Sequence, residues 1–162
     1  AKLNAIVFLQ YKPKGNGIGH FHSVSLDDYK RLVDKAEKLG IGIGFDSCSA
    51  PMYLKAIENS DLFFQRVTYV EPCESGLFSA YINAKGEFFP CSFAEGTGED
   101  WKTGIDVLSV ESFQDIWLHP RVENWRKSLL GSSSACEGCR GKSACRSCIL
   151  FDEVTPCRQS KQ

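Results

Sequence analysis

A chain of 162 residues with 43% hydrophobic and 24% charged side chains holds one ordinary domain or two small ones, and is neither disordered nor fibrous in composition. A formal net charge of −1 gives no field to draw it onto nucleic acid or anionic lipid, and no apolar run approaches the roughly 20 residues that span a bilayer. Nucleic-acid and membrane partners are therefore not expected.

Residues 1–10 show neither a basic start nor a cleavage site behind an apolar core, so no secretory signal is read and a cytoplasmic location is expected. Ala stands at position 1 and a strand pattern begins almost at once, as in a segment of a longer protein. Residues 3–11 (LNAIVFLQY) are almost continuously apolar, the pattern of a strand buried on both faces in a parallel sheet. Residues 12–21 carry Pro13 and three glycines and read as a loop. Their G-x-G stretches lack the following helix that a dinucleotide site needs. His20 and His22 are candidate ligands, set against a solvated loop with no third partner.

Ser25 caps a helix, with Asp28 three residues on. Leu26, Tyr29, Leu32, Val33, Ala36 and Leu39 form its apolar stripe, and Gly40 ends it. Residues 41–45 (IGIGF) are a second short strand. Strand, helix and strand with short joints make a βαβ unit with parallel pairing. Working residues in open and barrel α/β sheets gather at the carboxyl ends of strands. That rule singles out Asp46, Ser47 and Cys48, with a buried small hydrophobe as the plainer reading of Cys48.

Residues 51–59 read as a helix and 66–70 as a short extended segment. Residues 77–82 alternate, Asn83 to Gly86 supply a turn and 87–89 return, which is a β-hairpin. Cys73 lies before its first strand and Cys91 after its second, so the hairpin is expected to bring the two thiols close. Residues 93–103 read as loop, and 110–118 and 120–130 as amphipathic helices, the second opening on Pro120. Trp117 and Trp125 read as core anchors. Residues 131–134 break the helix, and the tail after Cys157 is polar and expected to fray.

The densest chemistry is Cys136-x2-Cys139-x5-Cys145-x2-Cys148, followed by Cys157. Within each pair a small residue, Gly138 or Ser147, lets the backbone curl so that both sulfurs turn toward one centre. Soft thiolates grouped this way suit zinc or iron–sulfur clusters. Eight cysteines in a chain with ample Phe, Ile, Leu and Val argue for metal ligation over the disulfide framework of a small secreted domain. The alternative metal reading is a zinc-stabilised binding module at Cys136, Cys139, Cys145 and Cys148, without redox activity. It leaves Cys73, Cys91 and Cys157 idle.

Written as one pattern, Cys73, Gly86 four residues short of Cys91, the double clamp and Cys157 resemble the SPASM domain. This is the cysteine-rich extension of many radical S-adenosylmethionine (SAM) enzymes. One departure is that Cys145 and Cys148 enclose two residues where the family usually has three. The resemblance implies an α/β (α+β) fold. Residues 1–70 would be terminal βα units of a partial TIM-like barrel, and 71–162 the SPASM domain with its β-hairpin and short helices.

The resemblance further implies two auxiliary 4Fe–4S clusters. Cys73, Cys91 and Cys148 would hold the first. Cys136, Cys139, Cys145 and Cys157 would hold the second. Two four-iron clusters take eight thiolates, which makes Cys48 the candidate fourth ligand of the first, the competing reading being an open iron site there. SAM and a third cluster would belong to the full-length enzyme. The C-x3-C-x2-C motif that binds that third cluster is absent from this chain, which alone should not cleave SAM. The parent enzyme would generate a 5′-deoxyadenosyl radical and modify a peptide or small protein. An external electron carrier such as flavodoxin or ferredoxin would serve it. Ser92 stands where the sulfatase-maturing branch carries an acidic residue, which counts against that branch. Arg140, Lys142 and Arg146 are candidate donors to sulfur, and Phe88, Phe89, Phe93 and Trp101 are either a peptide-groove wall or simple packing.

Overall fold

A computed structural model describes residues 3–131 and 136–159. The chain forms two compact units: 1–73 together with 132–162, and 74–131. The helix-breaking stretch at 132–135 and the last residues of the polar tail lie outside the described residues.

In the first unit, strand β1 (Ala5–Phe8) pairs in parallel with β2 (Gly42–Phe45), Ala5 opposite Gly42 and Phe8 opposite Phe45. Helix α1 (Leu26–Lys38) makes the crossover, giving the βαβ unit. Its ends are set by local chemistry. The Ser25 hydroxyl accepts from the Asp28 N–H at 3.1 Å, and Asp27 and Asp28 sit in the positive first turn, Lys35 and Lys38 in the negative last one. Gly40 adopts φ +64 beyond the helix, and the Ile41 and Gly40 N–H groups donate back to Ala36 and Glu37, a Schellman stop. Tyr29, Val33 and Ala36 of the stripe are buried, whereas Leu32 and Leu39 stay exposed.

Helices α2 (Ala50–Ala56) and α3 (Phe63–Val67) follow. Tyr29, Val33, Ala50, Met52, Tyr53, Leu54, Ile57, Phe63 and Val70 form the core, with Phe8 against Tyr29 at 5.3 Å and Phe45 stacked on Tyr53 at 4.4 Å. Ala144 and Cys145 pack on this core, so the cysteine clamp is built onto the βαβ unit. Helix α6 (Pro156–Gln159) closes the unit against α2.

Two expectations change here. β1 is not buried on both faces: Val7 is 63% exposed. Its burial alternates because successive side chains point to opposite faces, Phe8 packing against the core and Val7 pointing away from it. Residues 66–70 are not extended either. Helix spacing puts Phe63 and Val70 into the core and lets Arg66 reach Glu37 at 2.9 Å, and that burial outweighs the β-branched composition.

The second unit carries an antiparallel sheet of β3 (Tyr81–Ile82), β4 (Glu87–Phe89) and β5 (Ile105–Asp106). The hairpin forms with Tyr81 opposite Phe89 and Ile82 opposite Phe88, but its first strand is shorter than the expected 77–82, because Leu77 and Phe78 turn back to bond the Glu74 carbonyl. Asn83 organises the turn: its Oδ1 accepts from the Lys85 and Glu87 N–H groups, and Gly86 takes φ +79. β5 had no signature, being two residues long. Gly104 permits it, since a Cβ there would lie 2.5 Å from Glu87 Cβ and 2.8 Å from the Phe88 carbonyl.

Helix α4 (Phe113–Trp117) is shorter than its pattern because Ser112 and Asp115 form a capping box that fixes its start. Helix α5 (Pro120–Leu130) follows. Trp125 is a core anchor, edge-on to Trp101 at 6.0 Å, with its indole N–H shared between the Ser75 carbonyl and hydroxyl. Trp117 is half-buried, stacked on Phe113 with Arg126 over its face. No helix among the described residues is long and apolar enough to cross a membrane, and no barrel closes among them.

Candidate metal centre

The carboxyl ends of β1 and β2 carry a built polar network. Asp46 Oδ1 accepts from the Gln10 N–H (3.2 Å), the Ser49 N–H (2.9 Å) and the Ser49 hydroxyl (2.5 Å). Its Oδ2 takes the Lys12 ammonium at 2.6 Å, and the Lys12 side chain is only 10% exposed. Burial raises the Asp46 pKa, but the hydrogen bonds from Lys12, Ser49 and Gln10 outweigh it and hold the carboxyl below its ordinary value.

Three thiols share the electrostatics of this network: Cys48 and Cys148 each feel both Cys73 and Lys12. Cys48 stands two residues past Asp46, close enough that its sulfur and the Lys12 ammonium each shift the other's pKa. Burial pushes the Cys48 thiol up to about 11. Lys12 pulls it down, while Asp46 and Cys73 push it up. Burial likewise raises Cys148, which also feels Cys73 and Lys12. The backbone N–H groups of Leu150 and Phe151 donate to the Cys148 sulfur. Arg146 Nη1 donates to the Cys73 carbonyl at 2.9 Å and so fastens the clamp to the segment bearing Cys73.

A second sulfur group lies farther along the unit. Cys139, Cys145 and Cys157 line a cavity of about 160 Å³ together with Pro51, Leu54, Lys55 and Glu58. The Cys139 N–H donates to the Cys136 carbonyl, and Gly138 adopts φ +72 between them, a conformation a side chain would oppose. Lys55 is bonded to Glu58. That bond raises its pKa, burial lowers it, and the Cys139 and Cys157 sulfurs add to the rise. Arg140 donates to the Glu58 carbonyl at 2.6 Å and covers the Phe63 ring at 4.5 Å, which docks this end of the clamp.

Residues 73–149 match the family model of the SPASM iron–sulfur cluster-binding domain. That stretch is similar to the SPASM domain. The match opens on Cys73 and takes in Cys91, Cys136, Cys139, Cys145 and Cys148, leaving Cys48 and Cys157 on either side. No curated protein and no solved structure matches the chain.

Residues 73–149 and their flanks fit an iron–sulfur cluster. All eight cysteines are half-buried. Among the described residues no three His, Cys, Asp or Glu side chains converge as ligands of one ion. A four-iron cluster takes one thiolate per corner and spreads them wider. The cavity has roughly ten times the room one water needs. Thr155 is fully buried two residues before Cys157, and its hydroxyl has no partner among the described residues. Such an orphaned donor suits a sulfur acceptor. Donors to sulfur are also what tune such clusters.

Cys91 follows β4 in the second unit, while Cys73 is the last residue of the first segment of the other. His20 and His22 are exposed on their loop. Phe88, Phe89 and Trp101 are buried packing residues. Arg140 and Arg146 bond backbone carbonyls, so they position the clamp. The sequence reading missed Lys12, which it left in a glycine-rich loop. The strand-end rule that found Asp46 and Cys48 would have found it too, because Lys12 leaves the carboxyl end of β1 as they leave β2.

Proposed function

We propose that this chain is the auxiliary-cluster region of a radical SAM enzyme that modifies a peptide or small protein, and that it holds two 4Fe–4S clusters. Cys48, Cys73, Cys91 and Cys148 are the ligands of the first, and Cys136, Cys139, Cys145 and Cys157 those of the second. The observation that carries this reading is the sorting of thiols within the first unit. Cys48, Cys73 and Cys148 share one electrostatic neighbourhood, while Cys139, Cys145 and Cys157 share one cavity. That partition supports the ligand sets the SPASM pattern implies, and it supports Cys48 as a member of the first.

A bound cluster supplies one-electron chemistry or an open coordination site for substrate. The chain's own residues hold the sulfurs at separate corners, cover them with apolar side chains and aim N–H donors at them. The reading also entails a cytoplasmic protein served by a flavodoxin- or ferredoxin-type carrier.

The test is metal and sulfide counting on the full-length gene product purified without oxygen. The expected result is eight iron atoms assignable to this region. Cys48→Ala should lose the first cluster or leave it with three irons. Stoichiometric zinc in colourless protein refutes the proposal. Eight irons and an unchanged spectrum in the variant remove Cys48 from the ligand set.

A further inference from the structure

The two sulfur groups share a design that the cysteine pattern does not contain. Each has one lysine beside it, and each lysine is held by a carboxylate: Lys12 by Asp46, Lys55 by Glu58. The two differ in burial. The Lys12 side chain is 10% exposed, against 38% for Lys55. Lys12 is also the better fixed, because its anchor Asp46 is itself locked by three donors from Gln10 and Ser49. An ammonium has three N–H donors. Asp46 takes one, which fixes the ammonium two residues from Cys48 and leaves the other two donors for a sulfur that already feels its charge.

A buried, fixed positive charge that donates to a ligating thiolate draws electron density from it and favours the more negative, reduced form of the centre. The same charge in solvent is screened and acts weakly. We propose that Lys12 is a positioning and tuning residue for the first centre. In this role its ammonium, held by Asp46, donates to the Cys48 thiolate and sets that centre at a higher reduction potential than the second. This rests on the cluster reading above, with Cys48 as a ligand. Lys55 gives the second centre a weaker version of the same device. The arrangement orders the pair, making the first centre the preferred seat of an added electron.

The experiment is an EPR-monitored redox titration of cluster-loaded full-length protein as wild type, Lys12→Met, Lys12→Arg and Lys55→Met. Methionine keeps an apolar stem and removes the charge and donors, whereas arginine keeps both. Lys12→Met should make one centre at least tenfold harder to reduce, a fall of about 59 mV for a one-electron couple, and leave the other in place. Lys12→Arg should restore most of that shift. Lys55→Met should move the other centre, and by less.

A measurement that needs no charge-removing variant accompanies it. With ¹⁵N-labelled lysine, pulsed EPR of the reduced first centre should show a lysine nitrogen coupling that disappears in Lys12→Arg. Iron present with both midpoints unmoved in Lys12→Met, or no lysine coupling at the first centre of the wild type, overturns the proposal and leaves the cluster reading standing. Absence of iron from the wild type takes down both.

Discussion

Arg146 is the clearest place to test whether the clamp is positioned in advance of the metal. Its guanidinium donates to the Cys73 carbonyl at 2.9 Å and joins segments 73 positions apart. Cys148 lies two residues beyond it, so this one bond brings together two proposed ligands of the first centre. A charge-assisted hydrogen bond contributes about 1.5–3 kcal/mol. The group is half-buried, so we take the lower end, about 1.5 kcal/mol. In Arg146→Ala that amount has to come from cluster binding itself, and about 1.4 kcal/mol is a factor of ten. Iron of the first centre should therefore pass to a chelator about tenfold faster under anaerobic conditions, while the iron of the second keeps its wild-type rate. Arg146→Lys retains the charge but not the planar fork, and should recover part of the loss. Release rates within twofold of wild type for both centres would show that the bond is incidental to ligand positioning.

Three further outcomes follow from the same geometry. Gly104→Ala places a Cβ against Glu87 Cβ, the Phe88 carbonyl and the buried Phe89 ring. Overpacking of this kind costs about 1–3 kcal/mol. The melting temperature should drop by roughly 2–4 °C per kcal/mol, whereas Gly98→Ala, with nothing within 4 Å, bears only the left-handed backbone cost of about 1–2 kcal/mol. Trp125→Phe keeps the ring against Trp101 but removes the donor to Ser75. It should lose about 1–2 kcal/mol in urea unfolding of the metal-free chain. Asp46 has a depressed carboxyl, so its contribution to stability is complete above the unfolded value of about 3.9 and is lost as pH falls through its lower folded value. Asp46→Asn should flatten stability against pH in that acid window, measured by circular dichroism of the metal-free chain, and leave the profile near neutrality unaltered in shape.

What the sequence made legible was what neighbouring residues decide. The Ser25 cap, the Gly40 stop, the Asn83–Gly86 turn and the Cys136-x2-Cys139 curl are each settled within about six residues, and each lies where its pattern put it. The Cys145-x2-Cys148 pair does not curl, because Cys145 leaves its 3-10 turn in extended conformation, and its two sulfurs fall in different groups. Elements whose identity depends on what they pack against were less legible. The stretch around α3 has β-branched composition and is helical because Phe63 and Val70 reach the core. β5 exists because β4 lies beside it, and its only trace in the sequence is Gly104, which no short-range rule would connect to Glu87. At the metal centre the sulfurs announced themselves by clustering. Lys12 did not, because its meaning comes from Asp46, 34 positions on, and from Cys48 beyond it. An ordinary lysine in a loop becomes a buried cation only through the parallel register that brings the two strand ends level.

The separation of the ligands along the chain carries a consequence for how the protein is made. Cys48 and Cys148 stand one hundred positions apart, and Cys139 and Cys157 meet only through α2 and the closing helix α6. Bringing such ends together has a chain-entropy cost that the unfolded polypeptide cannot recover. An unfolded chain therefore offers local C-x2-C pairs and no complete set. The folded chain without metal faces the opposite difficulty. It buries Cys48 and Cys148 beside Cys73, where burial raises both thiols above their ordinary pKa and disfavours the thiolates a cluster needs. Iron relieves that cost by supplying positive charge where the sulfurs crowd, and the protons leave as it binds. Lysines 12 and 55 relieve it in part beforehand, each kept charged by its own carboxylate. The βαβ unit, read from sequence as a scaffold beside the cysteine region, is thus part of the site. It contributes Lys12, Asp46 and Cys48 to one sulfur group, and the α2 that follows it contributes Leu54 and Lys55 to the other. A chain beginning at position 73 should accordingly keep every cysteine except Cys48 and still fail to retain iron.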